Sequence, residues 1–140
     1  TSCIVSFFGE LGEYAHKHNT VFSLEANPGI YDTNFINTTA EAIDLIEQID
    51  SEGFRLNLDL GTMIANSENI SVLNGKEHLV NHIHISEPFL ASIKERDIHR
   101  DLSALLHKID YQNYISIETK TTDDLEGLFK TMNYISEVFS

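Results

Sequence analysis

The chain is poor in cysteine and in positive charge, and it lacks any long apolar run. Its one cysteine, Cys3, has no partner within the 140 residues, so no intrachain disulfide is available and nothing calls for an oxidising compartment; the cytoplasm is the default expectation. Lys and Arg number 9 against 22 Asp and Glu, a formal charge of −13, with no basic cluster to interrupt the balance. Such a surface repels phosphate backbones and anionic headgroups, which argues against nucleic acid and membranes as partners. No apolar stretch approaches the roughly 18 residues that span a bilayer, and Thr1-Ser2-Cys3-Ile4-Val5 lacks the charged start of a signal peptide. Because the sequence opens at Thr1 rather than methionine, a processed chain or a piece of a longer one is expected. Repeats of fixed period, low-complexity tracts and linkers are missing too, which leaves residues 1–140 as a single unit.

What remains is an ordinary globular composition, 41% hydrophobic and 22% charged. Short runs rich in Val, Ile, Leu and Phe alternate with stretches of helical period, the signature of a parallel α/β sheet. The pattern predicts strands over 21–26, 54–60, 79–86 and 114–119, each closed by turn chemistry such as Asn27-Pro28-Gly29, Gly61 or Glu87-Pro88. Helices are expected over 4–18, where Val5, Phe8, Leu11 and Ala15 share a face, and after a Thr38 or Thr39 cap, where Ala42, Ile43, Ile46 and Ile49 do. Gly53 would end that second helix. A helical turn over 67–73, a helix marked by Leu102, Leu105, Leu106 and Ile109, and a last one from an Asp123 or Asp124 cap through Val138 complete the set.

Strands buried on both faces of a parallel sheet read as continuous apolar runs, and these do not. Phe22, Leu24, Leu56, Leu58, Ile83, Ile85, Ile115 and Ile117 fall on one face. The other carries Ser23 and Glu25, Asn57 and Asp59, His82 and His84, then Ser116 and Glu118, with the ionisable residue nearest the carboxyl end each time. In a closed parallel barrel the inward face fills the lumen and its carboxyl-end layer lines the active site, so Glu25, Asp59, His84 and Glu118 are expected to converge at one level. Three carboxylates brought together repel one another unless a cation neutralises them. Oxygen ligands plus one imidazole suit a divalent metal such as Mn²⁺, Mg²⁺, Co²⁺ or Zn²⁺.

Leu24-Glu25-Ala26-Asn27-Pro28, Leu56-Asn57-Leu58-Asp59-Leu60-Gly61, His82-Ile83-His84-Ile85-Ser86-Glu87-Pro88 and Ile115-Ser116-Ile117-Glu118 together resemble the xylose isomerase-like barrel superfamily, and within it the sugar phosphate isomerase/epimerase branch. The resemblance covers nearly the whole chain but corresponds to the C-terminal half of a (β/α)8 TIM barrel. It implies a divalent metal held by Glu25, Asp59, His84 and Glu118, with a sugar or sugar phosphate as further ligand and Glu25 and Glu118 as the acid/base pair on its two sides. Proton removal beside a carbonyl, through an enediolate, would then give an epimer or an isomer. Members often carry a histidine three positions after the metal-binding aspartate, where this chain has Thr62.

Around that centre, His82, Glu87, Asp97, His99, Arg100 and Lys120 are the candidates for substrate contact. Asp97-Ile98-His99 also resembles the Asp-x-His metal pair of the superfamily's endonuclease branch; its plainer reading is a polar loop before the Leu102 helix. Arg100 and Lys120 would meet an anionic group or stay solvated, and Glu87 would bond a hydroxyl or merely end its strand. Two further functions stand beside the isomerase/epimerase: an endonuclease, opposed by the acidic balance, and an inactive half-barrel or interaction module. A full barrel takes about 250 residues, so four strands imply either a missing N-terminal half or self-association that closes the ring.

Overall fold

Alternating apolar positions in four segments satisfy a sheet that packs helices on one face, and a parallel sheet is what forms. In the computed structural model, which describes residues 2–122 and 124–140, β1 (Phe22–Glu25), β2 (Phe54–Asp59), β3 (Val80–Ile85) and β4 (Tyr114–Ile117) lie in that spatial order, all parallel. With them run α1 (Ser2–Lys17), α2 (Thr39–Ile49), α3 (Leu60–Ala65), α4 (Asp97–Lys108) and α5 (Leu125–Val138). This is the expected α/β alternation, four parallel strands in sequential order with helices between them.

The helix-covered face holds the core. Leu56, Leu58, Ile83 and Ile85 are buried against Ile46 of α2, Leu102 of α4 and Ile135 of α5. The two outer strands are less covered than the inner pair: Phe22, expected on the apolar face of β1, is 42% exposed, and Tyr114, in phase with Ser116 and Glu118 on β4, is 80% exposed; among the described residues no further strand lies beyond either edge.

One irregularity sets which side chains reach the lumen. Leu56 pairs with Val80 but its neighbour Asn57 pairs with His82, so Asn81 is an extra residue opposite the β2 ladder. Strict alternation would put Val80 and His82 on one face. The bulge instead lets Val80 join the core while His82 and His84 turn to the polar side.

Helix ends agree with their chemistry in most places. Thr38 caps α2 in a capping box with Glu41, and Asp124 caps α5 by accepting from the Gly127 N–H at 2.9 Å; Asp123, like Thr1, lies outside the described residues. Gly53 does not end α2. Asp50 does, in the left-handed conformation with its N–H on the Ile46 carbonyl, and Gly53 lies instead hard against the backbone of α1. The turn expected over 67–73 is a 3₁₀ turn at Ile70–Leu73, and α3, starting directly at the end of β2, is an addition.

Candidate metal centre

Glu25 ends β1, His84 lies one residue before the end of β3, and Glu118 follows β4, so three side chains rise from the same end of the sheet. The His84 Nδ1 stands 3.0 Å from Glu25 Oε2 and 3.4 Å from Glu118 Oε2. One ligand atom from each of the three lies within 4.8 Å of the others. Glu25 pairs in register with Asn57, whereas Asp59 pairs with His84, so the four expected residues are staggered rather than level. Stagger is what the tilt of barrel strands requires, and side-chain length closes the gap.

Asp59 stands beside this trio with its oxygens engaged. Oδ2 accepts from the Thr62 N–H at 2.7 Å, which caps α3, and Oδ1 accepts from the Ser86 hydroxyl, whose oxygen in turn accepts from the Gly61 N–H at 2.7 Å. A carboxylate accepts several bonds, so these contacts fix its orientation without exhausting it. Asn57, between the strands of Glu25 and His84, donates from Nδ2 to Glu25 Oε2, and the same nitrogen lies 3.3 Å from His84 Nδ1. Its Oδ1 is buried with no hydrogen-bond partner.

The electrostatics are those of crowded carboxylates facing a single imidazole. Burial, then the Asp59 charge, then Glu118 push the Glu25 carboxyl up to about 7, against the opposing pull of His84. A divalent cation fits these donors: two carboxylates and an imidazole, with a third carboxylate adjacent, supply the charge and the ligand types it needs. His82 sits behind His84 with ring centroids 5.1 Å apart, and burial followed by the His84 charge lowers its imidazole.

The raised carboxyl has a signed consequence for the metal-free protein. A group that protonates more readily folded than unfolded adds stability below its unfolded value, near 4.5, and that stability is lost as pH rises through about 7. Glu25→Gln mimics the protonated form at every pH. Urea midpoints are therefore expected to show the variant ahead of the parent at pH 8 and level with it at pH 5; a difference independent of pH would show that Glu25 titrates normally.

The remaining predicted residues separate into two groups. Glu87 and Lys120 line a cavity of about 360 Å³ together with Glu25, Asp59 and Glu118. Burial alone would raise the Glu87 carboxyl, but Arg96 forks onto it at 2.6 and 2.5 Å, the Lys94 N–H adds a bond, and the net result lies below the usual range. Asp97, His99 and Arg100 are not brought to the cavity. Residues 97–99 form the first turn of α4 rather than a loop; Asp97 is solvated, and Arg100 turns to Glu95 and Asp97 on the outside. His99 is fully buried with Nδ1 2.9 Å from the Tyr134 hydroxyl, and burial lowers its imidazole, so it is a core residue.

Asn57, Ser86 and Arg96 carry roles that the sequence reading did not assign. Asn57 was legible as a member of the polar face. Ser86 and Arg96 were not, since what they do depends on a contact 27 residues away for the one and a loop closure for the other.

The family model for the xylose isomerase-like TIM barrel matches residues 3–137. No curated protein sequence matches. Among solved structures, D-psicose 3-epimerase from Clostridium cellulolyticum H10 superimposes with a TM-score of 0.82 at 18% identity, over 97% of this chain and 55% of that one. A 3-keto-D-glucoside 4-epimerase from E. coli gives 0.78 at 22% identity, over 95% and 52%. A probable 3-DHS dehydratase from Bacillus anthracis gives 0.67 at 15%, over 94% and 55%, so the shared fold by itself does not fix the reaction. The chain spans about half the length of the structures it matches.

Proposed function

The chain belongs to the xylose isomerase-like TIM barrel family, and on that premise we propose that it is the C-terminal half of a divalent-metal-dependent sugar or sugar-phosphate isomerase or epimerase. One observation carries the reading: Glu25, His84 and Glu118, drawn from three strands, present ligand atoms within 4.8 Å of one another at the carboxyl end of the sheet. In the proposed assignment these three and Asp59 hold Mn²⁺, Mg²⁺, Co²⁺ or Zn²⁺. The cation would supply Lewis acidity towards a carbonyl and neighbouring hydroxyl.

The chain's own residues then do the proton work. Glu25 and Glu118 are the acid/base pair, each taking or returning a proton at a carbon beside the carbonyl. Asn57 orients Glu25 by donating to its Oε2, and Ser86 with the Thr62 N–H orients Asp59. Glu87, locked by Arg96, forms part of the cavity wall, and Lys120 at the rim meets an anionic substituent. The endonuclease reading loses its residues, since Asp97 faces solvent and His99 lies in the core. A missing half or a second copy would pair the open edges at Phe22 and Tyr114.

The test uses the full-length protein. Electron paramagnetic resonance should count one tightly bound Mn²⁺ per barrel, and incubation with a panel of ketoses and ketose phosphates in D₂O should place deuterium beside the carbonyl of at least one of them. Absence of both Mn²⁺ binding and exchange would remove the proposal.

A further inference from the structure

Residues 86–96 join β3 to α4, and their only regular structure is a 3₁₀ turn at Pro88–Leu90. The segment is closed by its own ends. Glu87, 3% exposed, accepts the Arg96 fork at 2.6 and 2.5 Å and the Lys94 N–H at 3.2 Å, so one carboxylate ties residue 87 to residues 94 and 96. Arg96 is pinned in turn from the helix layer. Its N–H donates to the Tyr134 hydroxyl of α5 at 3.3 Å, and that hydroxyl lies 2.9 Å from Nδ1 of the fully buried His99 of α4. Because the hydroxyl oxygen accepts from Arg96, its own hydrogen is available to His99 Nδ1, an acceptor in the neutral imidazole that burial favours.

The same segment reaches Glu118. Leu90 takes a left-handed conformation with φ of 52°, directly after Phe89 at 59°, a backbone cost that persists only where surrounding bonds fix it. In that conformation the Leu90 N–H donates to the Glu87 carbonyl at 2.9 Å, and the Leu90 carbonyl accepts the Lys120 N–H at 3.2 Å. Glu118 lies one residue past the end of β4. Its N–H donates to the Ile85 carbonyl at 2.9 Å, and two residues on, Lys120 is held to Leu90. The β4 ladder thus stops short of Glu118, and the 86–96 segment supplies the support that follows it. A single path of bonds leads from His99 through Tyr134, Arg96, Glu87 and Leu90 to the backbone around Glu118.

Stability alone does not call for the fork, since replacing a largely buried ion pair by apolar side chains of similar size is often neutral. What the fork adds is a fixed position. We infer that Arg96 and Tyr134 are positioning residues, which act through the 86–96 segment to set the backbone of Glu118 and so one carboxylate of the metal centre. Neither lines the cavity that holds Glu25, Asp59 and Glu118. The inference rests on the metal-centre reading above and extends it to two residues outside that cavity.

The test combines Mn²⁺ titration with amide hydrogen exchange of the metal-free protein, both on the full-length chain. Tyr134→Phe removes the hydroxyl that holds Arg96. Glu87→Met combined with Arg96→Met removes the fork without stranding a buried charge, so this double variant should unfold close to the parent's temperature. In both variants the Glu118 and Lys120 amides should exchange about ten-fold faster than in the parent, while those of β2 change by less than about two-fold. Mn²⁺ should bind about three- to ten-fold more weakly. Faster exchange spread evenly over the sheet would make the fork a general brace and overturn the inference. Unchanged exchange at Glu118 and Lys120, or affinity equal to that of a Mn²⁺-binding parent, would overturn it too. The metal reading fails separately: a parent that binds no Mn²⁺, yet whose Glu118 and Lys120 amides respond to both variants, would lose the cation and keep the positioning path.

Discussion

Replacing Glu118 by glutamine is expected to cut turnover by about 10³-fold or more in the full-length protein. The side chain keeps its shape but can no longer accept a proton, and loss of one positioned general acid or base costs about 10²–10⁴-fold. The same change removes one of the negative charges facing the His84 Nδ1, which stands 3.4 Å from Glu118 Oε2, and so weakens the cation site as well. Titrating Mn²⁺ against the variant separates the two contributions: residual activity measured at saturating Mn²⁺ reports the proton-transfer role alone.

A second readout does not depend on activity. Glu118 is one of the charges that raise the Glu25 carboxyl, so in the metal-free variant the Glu25 midpoint, followed by carbon NMR, should move down from about 7. A midpoint unmoved by the substitution would mean that the two carboxylates do not sense each other, and the proposed centre would lose its geometric basis even if turnover fell. Turnover equal to the parent's would remove Glu118 from the acid/base pair directly.

The polar lumen face was legible because alternation is a local property of each strand. Leu56, Leu58, Ile83 and Ile85 point into the helix layer, and Glu25, His84 and Glu118 meet on the other side. Three features were not legible, each because it depends on what lies across the fold. The extra residue Asn81 is invisible to a period of two, since only its pairing with β2 defines it. Asp59 looked like a free ligand from its position, but whether its oxygens are engaged depends on α3 beginning directly after it, and a six-residue helix gives too short a pattern to detect. Asp97-Ile98-His99 had the spacing of a metal pair. Helical geometry separates the two side chains, sending Asp97 to solvent while His99 is buried against Tyr134.

Gly53 supplies the largest expected effect on stability. Alanine at this position should cost more than about 3 kcal/mol, because a Cβ built there would stand 2.0 Å from the Gly12 carbonyl oxygen and 2.7 Å from the His16 nitrogen, both backbone atoms of α1. No rotamer change can yield that space; α1 itself must move. Gly12 meets the same crossing from the other side, where a Cβ would lie 2.5 Å from Ser51 Oγ and 3.1 Å from Phe54 Cβ. Two glycines thus allow α1 to lie directly on the turn that leads into β2. Set against a typical stability of about 5–15 kcal/mol, the loss is large enough to lower the urea midpoint severely. It should also loosen β1, an edge strand packed against α1, and with it the Glu25 end of the metal centre. Gly9→Ala is the matched control. Its Cβ would meet nothing within 4 Å and its site lies within the same helix, so alanine there should stabilise by up to about 1 kcal/mol through helix propensity. Opposite signs for one substitution at two positions would locate the effect in the α1–β2 crossing. If Gly53→Ala instead leaves the urea midpoint close to the parent's, α1 does not pack where the structure places it.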